Sequence, residues 1–236
     1  QNTLIVSNWK MNLNISSAIS LIKNMKIKND PNVLNIICPQ FLLIPEISKL
    51  IESKNIILGA QDCHYKNNGA FTGDTSAELL KHFNCKYIIL GHSERRQNHY
   101  ESNNLIKKKI QIVKSLNLKP IVCIGESLEN RENKDYLTTL DNQLSECIPN
   151  GIKEVIIAYE PIWSIGTGLI PKSDELFDIL NYIKKKTFYS KVLYGGSVSP
   201  KNIYQLKSIK NIDGFLIGGA STNEKIFIDI MKKSII

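Results

Sequence analysis

Three ionisable residues and two glycine pairs carry the chemistry this sequence could perform. Glu160 stands in Ala158-Tyr159-Glu160-Pro161-Ile162-Trp163, directly ahead of Ser164-Ile165-Gly166-Thr167-Gly168. A carboxylate at the mouth of a loop with a proline at its near end and a Gly-Thr-Gly tip reads as a general base beneath a mobile cover. Closing the cover would strip water from the carboxylate and raise its pKa toward the range useful for a base. His92 stands in Gly91-His92-Ser93-Glu94-Arg95-Arg96, and the residues after it can start a short helix. A helix N-terminus carries about half a positive charge, which disfavours imidazolium and leaves a neutral ring able to polarise a carbonyl. Lys10, inside Asn8-Trp9-Lys10-Met11-Asn12, offers an anionic substrate a compact point charge. The turns Tyr194-Gly195-Gly196-Ser197 and Ile217-Gly218-Gly219-Ala220-Ser221 let backbone N–H groups approach phosphate oxygens closely. Plainer readings stand beside these: Glu160 as an ion-pair partner, His92 as a structural histidine, Lys10 as solvated surface, the glycine pairs as turns.

Such residues need a frame, and the apolar pattern supplies one. Strand-like runs fall at Thr3–Val6, Val33–Cys38, Ile56–Gln61, Tyr87–Gly91, Pro120–Ile124, Val155–Tyr159, Val192–Tyr194 and Gly214–Ile217. Helix-period stretches follow them at Ser17–Met25, Pro45–Ser53, Ser76–His82, Asn103–Ser115, Tyr136–Cys147, Asp174–Lys186, Pro200–Lys207 and Glu224–Lys233. In the fourth, Leu105, Ile106, Ile110, Val113 and Leu116 form one stripe, and Thr75-x-x-Glu78 reads as a capping box for the third. The strands are nearly continuous in Val, Ile and Leu, as strands buried on both faces are. Eight strand-then-helix beats with no strand left over predict a single-domain (β/α)8 barrel with a closed parallel sheet, spanning residues 1–236. Chemistry in such a barrel sits where strands end. Asn8 and Lys10, Asp62, His92, Glu126, Glu160 and the glycine pairs all fall there, whereas Asn55, Asn84 and Asn117 at the strand beginnings read as plain turns.

Composition narrows the classes. The formal charge of +8 comes from 30 Lys+Arg against 22 Asp+Glu, and the excess is nearly all lysine. Runs such as Lys107-Lys108-Lys109 and Lys184-Lys185-Lys186 lie within helical patterns and read as solvated faces, not as a nucleic-acid surface. Cys38, Cys63, Cys85, Cys123 and Cys147 are odd in number and widely spaced, which argues against a disulfide framework or a structural zinc site. No apolar run approaches the ~20 residues that span a bilayer, and no signal-peptide pattern opens the chain. Reduced thiols and a cytoplasmic protein are the expectation. The chain begins at Gln1 without a methionine, so one or more residues are expected to precede it.

Asn8-Trp9-Lys10-Met11-Asn12, Gly91 to Arg96, Ala158 to Gly168, Tyr194-Gly195-Gly196-Ser197-Val198 and Asp213 to Ser221 together resemble the motifs of the triosephosphate isomerase family, in its order and over nearly the whole chain. The resemblance implies a TIM barrel that interconverts dihydroxyacetone phosphate and D-glyceraldehyde 3-phosphate through an enediolate, without cofactor or metal. It implies Glu160 as the base, neutral His92 as the electrophile and Lys10 as the third catalytic residue. A glutamate base beside a histidine kept neutral is that family's pattern of pKa tuning. Asn8, Trp9, Lys10, Gly166, Ser197, Gly218 and Gly219 are the implied substrate contacts, with Glu94 beside them. Gly69-Ala70-Phe71-Thr72-Gly73 resembles the loop by which the family's subunits interlock, implying a homodimer, with neither nucleic acid nor membrane as partner. Two departures stand out. The cover's far end reads Leu169-Ile170-Pro171 where the family usually has a lysine and small residues, so that hinge is expected to be stiffer. Lys184 stands where an arginine is expected opposite a carboxylate such as Asp213. The alternatives are another phosphate-binding aldose–ketose isomerase, a barrel that has lost catalysis, and a non-enzymatic basic barrel that binds nucleic acid.

Overall fold

A computed structural model describes residues 3–25, 30–188 and 190–235; Gln1 lies outside the described residues. Eight strands form a closed barrel in chain order: β1 (Thr3–Asn8), β2 (Val33–Cys38), β3 (Ile57–Ala60), β4 (Tyr87–Leu90), β5 (Lys119–Ile124), β6 (Ile156–Tyr159), β7 (Val192–Tyr194) and β8 (Gly214–Ile217). Every pair is parallel, and β8 closes on β1 through Leu4 opposite Gly214 to Ser7 opposite Ile217. Around them run α1 (Ile15–Asn24), α2 (Ile44–Leu50), α3 (Ala77–His82), α4 (Ser93–Asn98), α5 (Asn103–Ser115), α6 (Leu128–Glu132), α7 (Tyr136–Cys147), α8 (Ser173–Lys186), α9 (Ile203–Ser208) and α10 (Glu224–Ile235). The parallel barrel expected from the eight beats is the observed architecture.

Alternation along each strand sorts the core into two layers. Leu4 and Val6 of β1, Ile36 and Cys38 of β2, Ile121 and Cys123 of β5, and Ile156 and Ala158 of β6 fill the barrel. Ile5, Ile37, Val122, Ile157 and Tyr159 point the other way and pack beneath the helices with Ile106, Ile110 and Val113 of α5. The inward parity reaches Asn8 at the end of β1 and, one step past the strand ends, Gly125, Glu160, Gly195 and Gly218. The outward parity reaches Trp9.

Local chemistry explains most boundaries. Asn14 and Ser17 form a capping box at α1, Ser102 caps α5, and Ser127 with Asn130 caps α6. Asn84 and Asn117 turn the chain into β4 and β5 with φ of 62° and 59°, the left-handed region that asparagine tolerates. The capping box expected at Thr75 does not form. Ser76 caps α3 by accepting the Leu79 N–H, because the Thr75 carbonyl accepts the His64 N–H and holds the chain extended there.

The solvated-face reading of the lysine runs fails at two positions. Lys109 is buried, with Nζ at 2.8 Å from Asp62 and 2.7 Å from Glu101; Arg95 bonds the same two carboxylates. Lys184 is buried with Nζ at 2.6 Å from Asp213, which also accepts the Val192 N–H. In each case an acidic residue from a distant loop lands opposite the lysine.

Candidate active site

The loop after β1 carries Lys10 in a conformation that non-glycine residues rarely adopt, with φ of 52°. Such a conformation costs on the order of 1–3 kcal/mol and persists only where its surroundings fix it. Here they do: the Asn8 side chain accepts the Lys10 N–H at 3.1 Å, Gln61 donates to the Lys10 carbonyl at 2.8 Å, and Gln40 donates to Asn12 and Leu13. The ammonium meets Glu94 at 2.6 Å. Its stem runs beside Gly218, where a Cβ would stand 3.2 Å from Lys10 Cε.

His92 occupies the N-cap of α4. Its Nδ1 accepts the Glu94 N–H at 3.2 Å, and its Nε2 lies 2.9 Å from Glu160 Oε1. Burial presses the imidazole pKa down, while the Glu160 carboxylate and, behind it, Glu94 lift it above the ordinary value against the opposing charge of Lys10. The Nδ1 bond decides the ring's state in this arrangement. A protonated Nδ1 could not accept the N–H, so the ring proton sits on Nε2 and faces the cavity.

Glu160 is 2% exposed and follows β6 immediately. Its backbone N–H donates to Ile124, and its Oε2 accepts the Ser93 N–H at 3.3 Å. Two glycines clear its place. A Cβ on Gly125 would collide with the Glu160 carbonyl, and one on Gly195 would stand 2.8 Å from Glu160 Cγ. Beside it, Glu126 is fully buried and accepts from Tyr159, from Trp163 of the covering loop and from Arg131. Burial raises the Glu126 pKa, though its donors oppose the shift.

These groups converge on a cavity of about 280 Å³ lined by Asn8, Lys10, His92 and Glu160, by Gly166 and Gly168 of the loop, and by the glycine turns after β7 and β8. Ser197, Gly218 and Gly219 are among the lining residues. Of the sequence-derived candidates, only Trp9 is not brought there. Its outward parity buries it completely in the layer beneath the helices. Asp62 and Glu126, also at strand ends, serve buried ion pairs. Sequence reasoning overlooked the Ser93 N–H, Gln61 and Ser164; the two-residue period of the strands would have separated Asn8 from Trp9. A larger cavity of about 1120 Å³ opens at the opposite end of the strands, between Leu4, Tyr87, Ile156 and the α7 and α8 ends, and holds none of these groups.

The arrangement sets a carboxylate, an N–H-donating imidazole and an ammonium around one small volume, with backbone N–H groups at its far side. That is the equipment for moving a proton at a carbon beside a carbonyl in an anionic substrate. Residues 3–234 match the family model described as triosephosphate isomerase. The protein named triosephosphate isomerase from Amoebophilus asiaticus (strain 5a2) is 41% identical over 98% of this chain and 99% of its own length. Proteins of the same name are 39% identical in Dehalococcoides mccartyi (strain CBDB1) and 41% in Wolbachia sp. subsp. Brugia malayi (strain TRS), each over 98% of this chain and 96% and 97% of theirs.

Proposed function

The chain belongs to the triosephosphate isomerase family, and from that premise we propose how its residues divide the work. It is an isomerase that interconverts dihydroxyacetone phosphate and D-glyceraldehyde 3-phosphate, the glycolytic exchange of the family. In our reading, the Glu160 carboxylate removes a proton from the carbon beside the substrate carbonyl. The C–H electron pair moves into the enediolate, and the negative charge arrives on the former carbonyl oxygen. His92 donates a hydrogen bond from Nε2 to that oxygen, and Lys10 supplies positive charge beside it. The His92 Nε2 proton passes to that oxygen, and the proton of the neighbouring hydroxyl passes back to Nε2. Glu160 returns the carbon proton to the former carbonyl carbon, so the new hydroxyl and the new carbonyl are complete and both residues end in their starting states. Asn8 orients the substrate, while Gly166, Ser197, Gly218 and Gly219 hold the phosphate through N–H and hydroxyl groups.

The observation that carries this reading is the 2.9 Å approach of Glu160 to His92 Nε2 inside the cavity that Lys10 shares. A coupled assay on glyceraldehyde 3-phosphate tests it. Glu160→Gln is expected to lose ~10²–10⁴-fold or more in kcat, as loss of a positioned base does. A variant as fast as the parent would overturn the assignment.

We also infer a homodimer. The loop around Phe71-Thr72-Gly73 follows β3, and His64, Tyr65 and Phe71 stack on one another there with ring centres 4.1–6.2 Å apart. Met11 (88% exposed), Leu42 (90%) and Tyr100 (88%) follow β1, β2 and β4 at the same end of the barrel. So much apolar surface on neighbouring loops suits burial against a second copy. A cytoplasmic location accords with this glycolytic role and with five cysteines that are all unpaired. Among the described residues, no helix is long and apolar enough to cross a membrane.

A further inference from the structure

Ser164 ends the 3-10 turn Ile162–Ser164 in the covering loop and is fully buried. Its hydroxyl donates to the Leu169 carbonyl at 2.5 Å, on the far arm of the loop. It also lies 3.2 Å from the Tyr194 hydroxyl and accepts the Ser197 N–H at 3.2 Å. A serine hydroxyl has one proton and two lone pairs. With the proton spent on Leu169, Tyr194 must be the donor, and all three capacities of the Ser164 hydroxyl are filled. Burial above all pushes the Tyr194 pKa up to about 12, so that hydroxyl keeps its proton at any working pH.

The surroundings are shaped to this hydroxyl. A Cβ on Gly196 would stand 2.7 Å from Ser164 Oγ and would also collide with the Tyr194 hydroxyl. The Ser164 carbonyl accepts the Ser197 hydroxyl at 2.6 Å, and Ser197 Oγ in turn accepts the Gly168 N–H at 3.0 Å. At the far hinge, Pro171 has no N–H to offer Tyr194 or Ser197. The Ser164 hydroxyl therefore links the near arm, the far arm and the β7 turn.

We propose that Ser164 is a positioning residue whose hydroxyl locks both arms of the covering loop to the β7 turn and so couples closure of the loop to the geometry of the phosphate site. The inference rests on the phosphate-ester reading of the cavity. It adds a residue outside the proton-transfer set. Ser164→Ala removes three bonds at once and leaves the carbonyl of Leu169 without its partner. Tyr194→Phe removes only one and leaves the loop sequence intact.

The test is a titration with inorganic phosphate followed by the emission of Trp163, which lies in the loop, with Trp9→Phe as the common background. Ser164→Ala is expected to weaken phosphate binding about tenfold, and Tyr194→Phe less, as loss of one or more buried bonds does. The double variant should be no worse than Ser164→Ala alone, because both act through one hydroxyl. In turnover, kcat/KM on glyceraldehyde 3-phosphate should fall similarly, while the slow isomerisation of unphosphorylated glyceraldehyde stays unchanged. Equal losses on both substrates, or phosphate binding unaltered in either single variant, would overturn the proposal. If Ser164→Ala does not fold, unaltered phosphate binding in Tyr194→Phe would still overturn it. A parent protein that binds phosphate but does not isomerise the triose would sink the functional reading and leave the lock to be judged on the phosphate titration.

Discussion

At the scale of single residues, the site turns on which atom of His92 holds its proton. Glu94 N–H takes Nδ1, and Glu160 faces Nε2. Once the carboxylate turns to a substrate carbon, the influence that lifts the imidazole pKa weakens, while burial remains. Glu160→Gln should therefore lower the His92 pKa relative to the parent, readable in an NMR titration of the ring; an unchanged value would contradict the proposed electrostatics. The sign carries into stability. A histidine with a raised folded pKa stabilises the fold fully below its unfolded pKa, and that contribution is lost as pH rises through the folded value. The variant should lose this part of the pH dependence. Glu160, His92 and Lys10 were legible as members of one cavity because each follows a buried strand, but the same position also holds Asp62 and Glu126, which the strand pattern alone could not separate from them. Trp9 was misread because the five residues Asn8 to Asn12 looked like a unit, whereas neighbouring residues along a strand face opposite layers.

Among elements, the instructive case is α5. Its apolar stripe was plain, and Ile106, Ile110 and Val113 are buried as the period requires. Lys109 was not plain, since a lysine triplet looks the same whether its last member meets water or two carboxylates. Its partners lie 47 and 8 residues away, beyond any local pattern. Burial works to raise the Asp62 pKa and succeeds. It works on Glu101 as well, but Lys109 and Arg95 hold that carboxyl below its usual value. Lys109→Met would leave both acids without their shared ammonium and should cost ~3–5 kcal/mol in urea denaturation at neutral pH. Lys108→Met, next in the same run, loses only an exposed contact over Tyr65 and should cost less than about 1 kcal/mol. Comparable costs would mean that the ion cluster contributes nothing beyond surface charge. Short helices such as α4 and α6 lacked the length to show a period, and their boundaries come from His92 and Ser127 as caps.

For the whole molecule, the barrel was legible because its beat repeats eight times and each beat is internally consistent. What the beat could not give was the second copy. That expectation came from the likeness of residues 69–73 to a known loop, and exposed Met11, Leu42 and Tyr100 now supply an independent physical motive. Light scattering should give twice the 26.7 kDa of one chain. Phe71→Asp, which puts a charge in the stacked cluster, should shift the distribution toward one chain; a monomeric parent would refute the dimer. The charge of +8 remains a property of the surface as a whole, since two of the lysines that seemed most free are paired inside.

Gly125 and Gly195 have a further consequence for how this protein tolerates change. Neither bears a functional group, yet each is a gap shaped to Glu160, the base in the proposed mechanism. On that mechanism, inheritance of activity depends on two positions that an inventory of reactive side chains would pass over. In a saturation library, inactive clones should gather at both, and activity there should return only where glycine is restored.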